Sequence, residues 1–324
     1  MPHSHLANAR HVIKRLPSKL HVIAVVFNPL RFQSRYNLYK EFSKHAIDAG
    51  ADLWTVEVAL GDRPFEVTQR SNPKHIQLRT KTELWHKERM INLAVQRLPI
   101  DWQYVAWVDA DLTFVNPDWV HETMQQLQHY PVVQMFSHAM DLGSNMEPLP
   151  PVGGFAYTWA AGNRELPLLG TDKGPHSGAR YWHPGFAWAY TRDAWNTLGG
   201  MLDMCIIGSG DYHMAYALVG QLERTIPHGS HPQYVKMVRQ WGERAALLKR
   251  NIGAVPGTVM HHFHGSKKHR GYATRWKMLV EHEFDPVVDL TLDWQGLFTL
   301  SHASPIKLRD DLRSYFRARN EDSI

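Results

Sequence analysis

Along the first 140 residues, short apolar runs alternate with stretches of helical spacing. The runs predict strands at residues 21–27 (HVIAVVF), 53–60 (LWTVEVAL), 104–108 (YVAWV) and 131–136 (PVVQMF), with a short apolar piece at 76–78. The helical spacing predicts helices at 36–47, 81–98 and 119–128. This β-α-β-α-β-α-β order predicts an α/β fold, in which a mostly parallel sheet is flanked by helices.

The second half of the chain is less regular. Residues 141–184 are rich in Gly, Pro, Ser and aromatic side chains, and so long a segment without clear periodicity indicates a binding or lid segment. Beyond it, the pattern predicts strands at 186–190 and 258–263 and helices at 192–198, 211–222, 233–250, 272–283 and 305–319. We expect one elaborated domain over residues 1–290 and a helical C-terminal extension over 291–324.

Composition narrows the class of protein. The 324 residues are 44% hydrophobic and 21% charged, which is typical of a globular chain and excludes wholesale disorder. A single cysteine, Cys205, excludes an intramolecular disulfide framework and indicates a reducing compartment. Neither a membrane-spanning run nor a signal-peptide pattern is visible, so we expect a cytoplasmic protein without membrane association. The net charge of +5 is compatible with a polyanionic partner but does not identify one.

Two acidic residues, Asp109 and Asp111, directly follow the apolar run YVAWV and precede the apolar run LTFV. Ligands of open α/β sheets bind at the carboxyl ends of strands, so these carboxylates are expected to point into a crevice. Two acids one residue apart can hold a divalent cation, which can bridge two phosphates of a nucleotide. A solvated turn is the alternative, but charges inside an apolar run need compensation and a metal supplies it.

The segment HHFHGSKKHR lies at the end of the last predicted strand. Strand alternation would put His262 and His264 on one face, where either could complete a metal site begun by the aspartates. Gly265 would allow the backbone to approach a ligand closely, and Lys267, Lys268 or Arg270 could neutralise a diphosphate. The alternative is an exposed strand end followed by a basic turn.

Two further motifs are candidates for chemistry. Asp211 follows a Gly-Ser-Gly turn at the start of a predicted helix, where it could cap the helix, act as a general base, or do both. In the aromatic segment RYWHPGFAW, we expect Phe186 and Trp188 in the core. Trp182 and His183 lie in the turn and are candidate contacts for a sugar or a base.

These pieces in this order resemble a GT-A glycosyltransferase, particularly the compact phage-encoded members. The resemblance covers residues 20 to 285 and rests on LWHKERMINLAVQRLPIDWQYVAWVDADLTFVNPDW, HPGFAWAYTRDAW, GSGDYHMA and HHFHGSKKHRGYATR. It implies a half that binds a nucleotide-sugar, at about residues 20–140, and a half that binds the acceptor, at 141–290.

The resemblance also implies roles for individual residues. Asp111 would bind Mn²⁺ or Mg²⁺, Asp109 would approach the ribose or the metal, and either His262 or His264 would be the remaining protein ligand. The spacing of His262, Gly265 and Lys268 is similar to a metal-and-diphosphate motif of some members. Further contacts with the nucleotide-sugar are implied for Asn28, Arg35, Lys87, Arg89 and Asn92.

The implied reaction is transfer of a hexose from UDP-hexose to an acceptor hydroxyl. Asp211 resembles the acid that deprotonates the acceptor in inverting members; without that role a retaining course stays open. Phage enzymes of this appearance suggest 5-hydroxymethylated pyrimidines in double-stranded DNA as the acceptor. Arg270 and Arg275 belong to the basic last third of the chain, which would contact that DNA.

The sequence leaves three alternative functions open. One is transfer of the sugar to a cell-envelope glycan or to a protein. The second is a metal-dependent phosphohydrolase, which needs more carboxylate or histidine ligands than the sequence offers near the strand ends. The third is a non-catalytic DNA-binding protein, which leaves the Asp-Ala-Asp and Gly-Asp turns without a purpose.

Overall fold

The computed structural model describes residues 19–163, 182–272 and 274–323. Its strands are β1 (His21–Phe27), β2 (Asp52–Leu60), β3 (His75–Thr80), β4 (Tyr104–Val108), β5 (Leu112–Phe114), β6 (Val132–Gln134), β7 (His138–Asp141), β8 (Val152–Gly154), β9 (Trp182–His183), β10 (Ala187–Thr191), β11 (Ile252–Ala254), β12 (Thr258–His261), β13 (Leu290–Leu292) and β14 (Phe298–Leu300). Its α-helices are α1 (Gln33–Asp48), α2 (Lys87–Val95), α3 (Trp119–Gln126), α4 (Phe155–Ala160), α5 (Arg192–Leu198), α6 (Gly210–Leu218), α7 (Pro232–Ala246), α8 (Trp276–Glu281), α9 (Pro286–Asp289) and α10 (Ile306–Ala318). Two residues of the aromatic segment, Arg180 and Tyr181, lie outside the described ranges.

The main sheet has seven strands in the order β11-β6-β10-β4-β1-β2-β3. Six of them run in the same direction, and β10 is antiparallel to its neighbours β4 and β6. Alternate residues of β1 belong to two different cores: Ile23 lies in the core that contains Met90 of α2, whereas Val22 lies in the core that contains Phe42 of α1. The predicted α/β fold with a mostly parallel sheet and flanking helices is therefore confirmed.

A second sheet of five strands, in the order β5-β12-β7-β8-β9, begins where the main sheet's central strand ends. The chain leaves β4, passes through Asp109 and Asp111, and enters β5. Strand β12 pairs antiparallel with β5 and parallel with β7, which sets His261 opposite both Leu112 and Asp141. This register brings three distant segments of the chain to one point beside the Asp-Ala-Asp turn.

Element boundaries differ from the sequence pattern mainly at chain reversals. The predicted strand at 258–263 ends at His261, and the predicted helix at 81–98 is confined to α2. Helix α10, within the predicted extension, buries Leu308 and Leu312 in the same core as α2. The domain boundary at residue 290 stays a prediction. No helix in the described ranges is both long and apolar enough to cross a membrane.

Candidate functional site

Asp111, His261 and His264 converge at the carboxyl edge of β4. The Nε2 atom of His264 lies 2.9 Å from Asp111 Oδ2, and the Nε2 atom of His261 lies 3.9 Å from the same oxygen. The two Nε2 atoms are 3.3 Å apart, and all three residues are buried. Three potential ligand atoms thus face one small volume.

The Nδ1 side of the His261 ring contacts the carboxylate of Asp141. Its Nδ1 atom lies 2.8 Å from Asp141 Oδ1, and Lys267 Nζ lies 2.5 Å from the other carboxylate oxygen. Burial alone would raise the pKa of Asp141, but His261 and Lys267 outweigh it and lower that pKa. Burial lowers the pKa of His261 to about 4. A neutral imidazole whose Nδ1 proton is donated to a carboxylate presents its Nε2 lone pair to a metal.

The Asp111 carboxylate is suited to a cation. Burial alone would raise its pKa, but the two histidines and Arg35 outweigh it and hold the pKa well below its usual range. Its second oxygen, Oδ1, is buried and has no hydrogen-bond partner among the described residues. Such an orphaned carboxylate oxygen is costly unless a ligand occupies it. One carboxylate and two imidazoles form a donor set that fits Mn²⁺.

Two arginines border this cluster. Arg35 donates from an η-nitrogen to Asp111 Oδ2 over 2.6 Å, and Arg270 places an η-nitrogen 2.9 Å from His264 Nε2. Arg270 is buried, whereas the Arg35 side chain is 27% exposed and can reach a ligand that enters from solvent. With a divalent cation added, the positive charge would call for an anionic ligand such as a diphosphate.

Asp109 and Lys87 form a separate pair beside the cluster. Lys87 Nζ makes an ion pair with Asp109 and lies 4.1 Å from the centre of the Trp107 ring. Burial alone would lower the pKa of Lys87, but Asp109 and Asp211 outweigh it and raise that pKa. Both carboxylates therefore act on the same ammonium group. Asp109, expected near the ribose or the metal, lies outside the three-residue cluster.

The other residues of helix α2 expected to bind the donor point elsewhere. Arg89 donates to the Gly296 carbonyl over 2.5 Å and pairs with Asp203 over 3.1 Å. Asn92 also donates to Asp203, over 2.9 Å. In an α-helix, positions two and five residues after Lys87 lie on the opposite face, so these side chains support the segment around Asp203. The structure gives Arg89 and Asn92 no position at the cluster.

Asn28 shapes the loop that follows β1. Its Oδ1 accepts from the Phe32 N–H over 3.0 Å, and its Nδ2 donates to the Phe32 carbonyl over 2.8 Å. A small recess, with room for about one water molecule, lies beside this loop at the carboxyl ends of β1 and β2. Its lining consists of Val26, Asn28, Arg31, Tyr36, Glu57, Val58, Ala59, Leu60, Arg63 and Pro64.

Asp211 is not the helix cap that the sequence suggested. Helix α6 begins at Gly210 after Ser209, so Asp211 lies in its first turn, and its Oδ1 accepts from the adjacent Tyr212 N–H over 2.9 Å. Its other oxygen lies against Gly185, where an added methyl group would overlap it. The absence of a side chain at Gly185 therefore leaves room for the Asp211 carboxylate, which would have to move if this residue had a Cβ. The carboxylate is half-buried and remains accessible.

The aromatic segment has more buried residues than the sequence predicted. Phe186 and Trp188 are buried, as expected, but Trp182 is only 4% exposed and packs against Phe155 in the core. Trp182 is thus too enclosed to serve as an acceptor platform. His183 is half-buried and stacks on Phe186, with ring centroids 3.6 Å apart. Phe186 also stacks against His261, with ring centroids 4.8 Å apart, so the aromatic rings connect the metal cluster to the backbone at Gly185, which Asp211 contacts.

The HHFHGSKKHR segment folds differently from a continued strand. His262, expected beside His264, instead lies 2.8 Å from the Thr113 hydroxyl, and His261 takes its place in the cluster. Gly265 approaches the backbone of the C-terminal residues, not an open ligand site. Lys268 is exposed.

The two arginines expected at an acceptor surface are both buried. Arg275 donates to the Ser209 hydroxyl and, over 3.2 Å, to the Tyr315 hydroxyl. Arg270 lies against His264 and donates to Tyr272 over 3.3 Å. Both guanidinium groups have their partners inside the protein. The prediction that these two arginines contact phosphates on a DNA-facing surface is therefore wrong.

Glu88, one residue after Lys87, is a site residue that the sequence did not single out. It is 2% exposed, one of its oxygens faces Gly210 at the start of α6, and the other has no partner among the described residues. Burial raises the pKa of Glu88 to about 8. The folded protein therefore keeps a neutral carboxylic acid directly below the helix turn that carries Asp211.

We expect Glu88→Gln to remove a pH dependence of folding stability. The wild-type folded state binds this proton more tightly than the unfolded state, so its stability falls as pH rises from about 4.5 to about 8. The free energy of unfolding of Glu88→Gln, from urea titrations across this range, should rise relative to wild type by a few kcal/mol. The exposed Glu223→Gln is the control. Parallel curves for Glu88→Gln and wild type would contradict a raised pKa.

No protein-family model and no curated protein sequence matches the chain. Among solved structures, the catalytic domain of Drosophila β1,4-galactosyltransferase 7 with xylobiose is 12% identical, with 91% of this chain and 98% of that chain covered and a TM-score of 0.42. A mutant of that enzyme with manganese, UDP-Gal and xylobiose has the same identity of 12% and coverage of 91% and 98%, with a TM-score of 0.44. Mannosyltransferase PcManGT from Pyrobaculum calidifontis, with GDP-Man and Mn²⁺, is 13% identical, covering 93% of this chain and 69% of that chain at a TM-score of 0.45. These scores are low, so we infer function from the site itself.

Proposed function

We propose that this chain is a metal-dependent glycosyltransferase, which moves a sugar from a nucleotide-sugar to an acceptor hydroxyl. The observation that carries the proposal is the convergence of Asp111, His261 and His264 at the carboxyl edge of the central strand, next to Arg35. A second carboxylate, Asp211, contacts Gly185, the residue before Phe186, whose ring stacks on His261. The site thus combines a cation-binding end with a candidate proton acceptor.

Asp111 and the Nε2 atoms of His261 and His264 would hold the divalent ion. Two imidazole ligands favour Mn²⁺ over Mg²⁺, because Mg²⁺ prefers a shell of oxygen atoms. When bound, the ion would neutralise charge on the departing nucleoside diphosphate. Arg35 already reaches Asp111 from the solvent side and would turn its remaining N–H groups to the diphosphate.

The loop that follows β1 would contact the nucleoside, as the resemblance implies for Asn28. The recess beside it would have to widen, because the structure leaves room for about one water molecule there. Lys87, which pairs with Asp109 and feels the charge of Asp211, would face the sugar-phosphate part of the donor. We take UDP-hexose as the donor to be tested first.

Asp211 would accept the proton of the acceptor hydroxyl. Its oxygen at Gly185 is half-buried but open to the site, and the turn before α6 fixes the backbone on which it sits. A base on the side of the sugar opposite the leaving diphosphate would give in-line attack and inversion at the anomeric carbon. His183, which stacks on Phe186 nearby, would line the acceptor side.

The acceptor proposed first is the hydroxymethyl group of a modified pyrimidine in double-stranded DNA. Arg270 and Arg275 do not support it, since both are buried. Exposed cations that could follow phosphates are Lys268, Lys277, Lys307, Arg309 and Arg317. Transfer to a cell-envelope glycan or to a protein hydroxyl is the alternative that the same experiment tests.

The test incubates the protein with Mn²⁺ and a panel of nucleotide-sugars. The acceptor arms are hydroxymethylated DNA, unmodified DNA, oligosaccharides and a protein mixture. Mass spectrometry would detect an added hexose, and release of the nucleoside diphosphate would report turnover in every arm. We expect release that requires Mn²⁺, and a hexose on hydroxymethylated DNA. A hexose on a glycan or protein would replace the DNA acceptor, whereas tight DNA binding without any nucleotide affinity would overturn the transferase.

A further inference from the structure

The C-terminal residues return to the candidate metal site. Asp322 accepts from the first N–H groups of α1, those of Gln33 over 2.8 Å and Ser34 over 2.9 Å. The Ser34 hydroxyl donates to the Glu321 carbonyl over 3.0 Å. An aspartate at a helix N-terminus is a favourable cap, so these contacts dock the tail on α1. Docking at Asp322 leaves the neighbouring Glu321 pointing inward, where it is 4% exposed.

Glu321 joins a network that ends at the metal cluster. One carboxylate oxygen, Oε1, accepts from Arg319 Nε over 2.6 Å and from a second nitrogen of the same guanidinium over 2.5 Å. The other, Oε2, lies 3.0 Å from Arg35 Nε and 3.5 Å from His264 Nδ1. The guanidinium groups of Arg35 and Arg319 therefore both contact the Glu321 side chain, and two adjacent positive charges favour its carboxylate form.

The segment that carries His264 is shaped to receive this tail. Gly265 has a φ of +81°, and a Cβ there would lie 2.8 Å from the Asn320 carbonyl oxygen and 2.9 Å from Glu321 Cα. Any other residue would be strained in this backbone conformation and would push the tail away. The glycine that follows His264 thus permits the contact between His264 and Glu321.

We propose that Glu321 is a positioning residue for His264, so that the C-terminal tail forms part of the metal site. The two histidines have a similar arrangement: Nε2 faces Asp111, while Nδ1 faces a carboxylate, Asp141 at 2.8 Å for His261 and Glu321 at 3.5 Å for His264. Arg35 and Arg270, which also contact His264, can only donate, whereas an Nδ1 proton needs an acceptor. Glu321 supplies that acceptor, so the lone pair lies on Nε2, where Arg270 contacts it over 2.9 Å and where a metal would bind in place of that contact.

This inference rests on the metal site of the proposed function. The same contacts are also compatible with an alternative role for the C-terminal tail. An acidic tail beside Arg35 could instead occupy the place of an anionic donor and obstruct the site. The two roles predict opposite changes in metal affinity when the Glu321 charge is removed, so one titration separates them.

The test measures Mn²⁺ binding to the full chain without nucleotide, by calorimetry and by electron paramagnetic resonance of free Mn²⁺. We expect Glu321→Gln to raise the Kd roughly 10- to 100-fold, as for other partners of metal-bound histidine. Asp322→Ala, which loosens the docking but keeps the Glu321 carboxylate, should raise it less. Glu223→Gln, at an exposed ion pair, is the control and should leave it unchanged.

Circular dichroism and thermal unfolding in the absence of metal identify a variant that fails to fold. If Glu321→Gln does not fold, Asp322→Ala decides the question by the same titration. Unchanged or tighter Mn²⁺ binding in the folded variants would overturn the positioning role, and tighter binding would assign the tail as an obstruction. Failure of the wild type to bind Mn²⁺ is a different result, which would overturn the proposed function itself.

Discussion

We expect Asp111→Asn to abolish Mn²⁺ binding and to lower Mn²⁺-dependent turnover of the nucleotide-sugar by at least about 10³-fold. Asparagine keeps the shape of the side chain but removes the charge that faces His261 and His264. It also leaves a neutral amide at the position where Asp111 Oδ1 has no partner in the described part of the chain. The readouts are the Mn²⁺ dissociation constant and the rate of nucleoside diphosphate release.

Matched variants make this first prediction specific. Asp118→Asn changes an exposed aspartate that starts α3 and should behave as wild type. His261→Ala should lose Mn²⁺ binding, whereas His262→Ala, which loses only a contact with Thr113, should keep it. If Asp111→Asn binds Mn²⁺ normally, or if the two histidine variants exchange their behaviour, the ligand set is wrong.

We expect Asp211→Asn to reduce kcat by roughly 10²- to 10⁴-fold, while donor and Mn²⁺ affinities stay close to wild type. The asparagine keeps the hydrogen bond to the Tyr212 N–H and fits against Gly185, but it cannot accept a proton from the acceptor hydroxyl. Single-turnover rates and donor titrations separate the two effects.

The control for Asp211 is Asp193→Asn. Asp193 is likewise in the first turn of a helix, α5, but it is exposed, so the variant should retain full activity. Unchanged turnover in Asp211→Asn would remove the base assignment and favour a retaining course. A loss of donor affinity equal to the loss of kcat/KM would instead give Asp211 a role in binding.

The strand and turns that carry the candidate site were predictable, because each is marked by a pattern within a few neighbouring residues of the sequence. The apolar run of β4 matches its predicted bounds, and its end at Asp109 follows directly from the sequence. In a mostly parallel sheet, the carboxyl end of a central strand faces the crevice, so Asp111 could be expected there. Asp211 was likewise identified from its glycine-rich turn.

The ligand set was less predictable, because it depends on where a strand ends. Had β12 continued to Phe263, alternation would have put His262 and His264 together. It ends at His261, and the turn at Gly265 brings residues three positions apart to the same point. An H-x-x-H spacing before a glycine is the signal that would have identified His261.

The positions of the remaining side chains depend on long-range packing and could not be predicted from the sequence. Arg270 and Arg275 belong to a basic segment of the sequence, which predicts exposed side chains. In the folded protein they are buried, because they contact His264 and Ser209, which are distant from them or on another turn of the chain. Arg89 and Asn92 match a motif, yet the rotation of α2 directs them to Asp203. Glu321 contacts His264 only because α10 returns the chain across the core, and no pattern in the sequence marks this contact.

The most direct test of the metal site is an anomalous difference map from crystals grown with Mn²⁺ and a nucleoside diphosphate. We predict one strong peak within ligand distance of Asp111 and of the Nε2 atoms of His261 and His264, with the diphosphate oxygens completing its coordination. No peak at this position, or a peak held by Asp109 and His262 instead, would contradict the proposed ligand set.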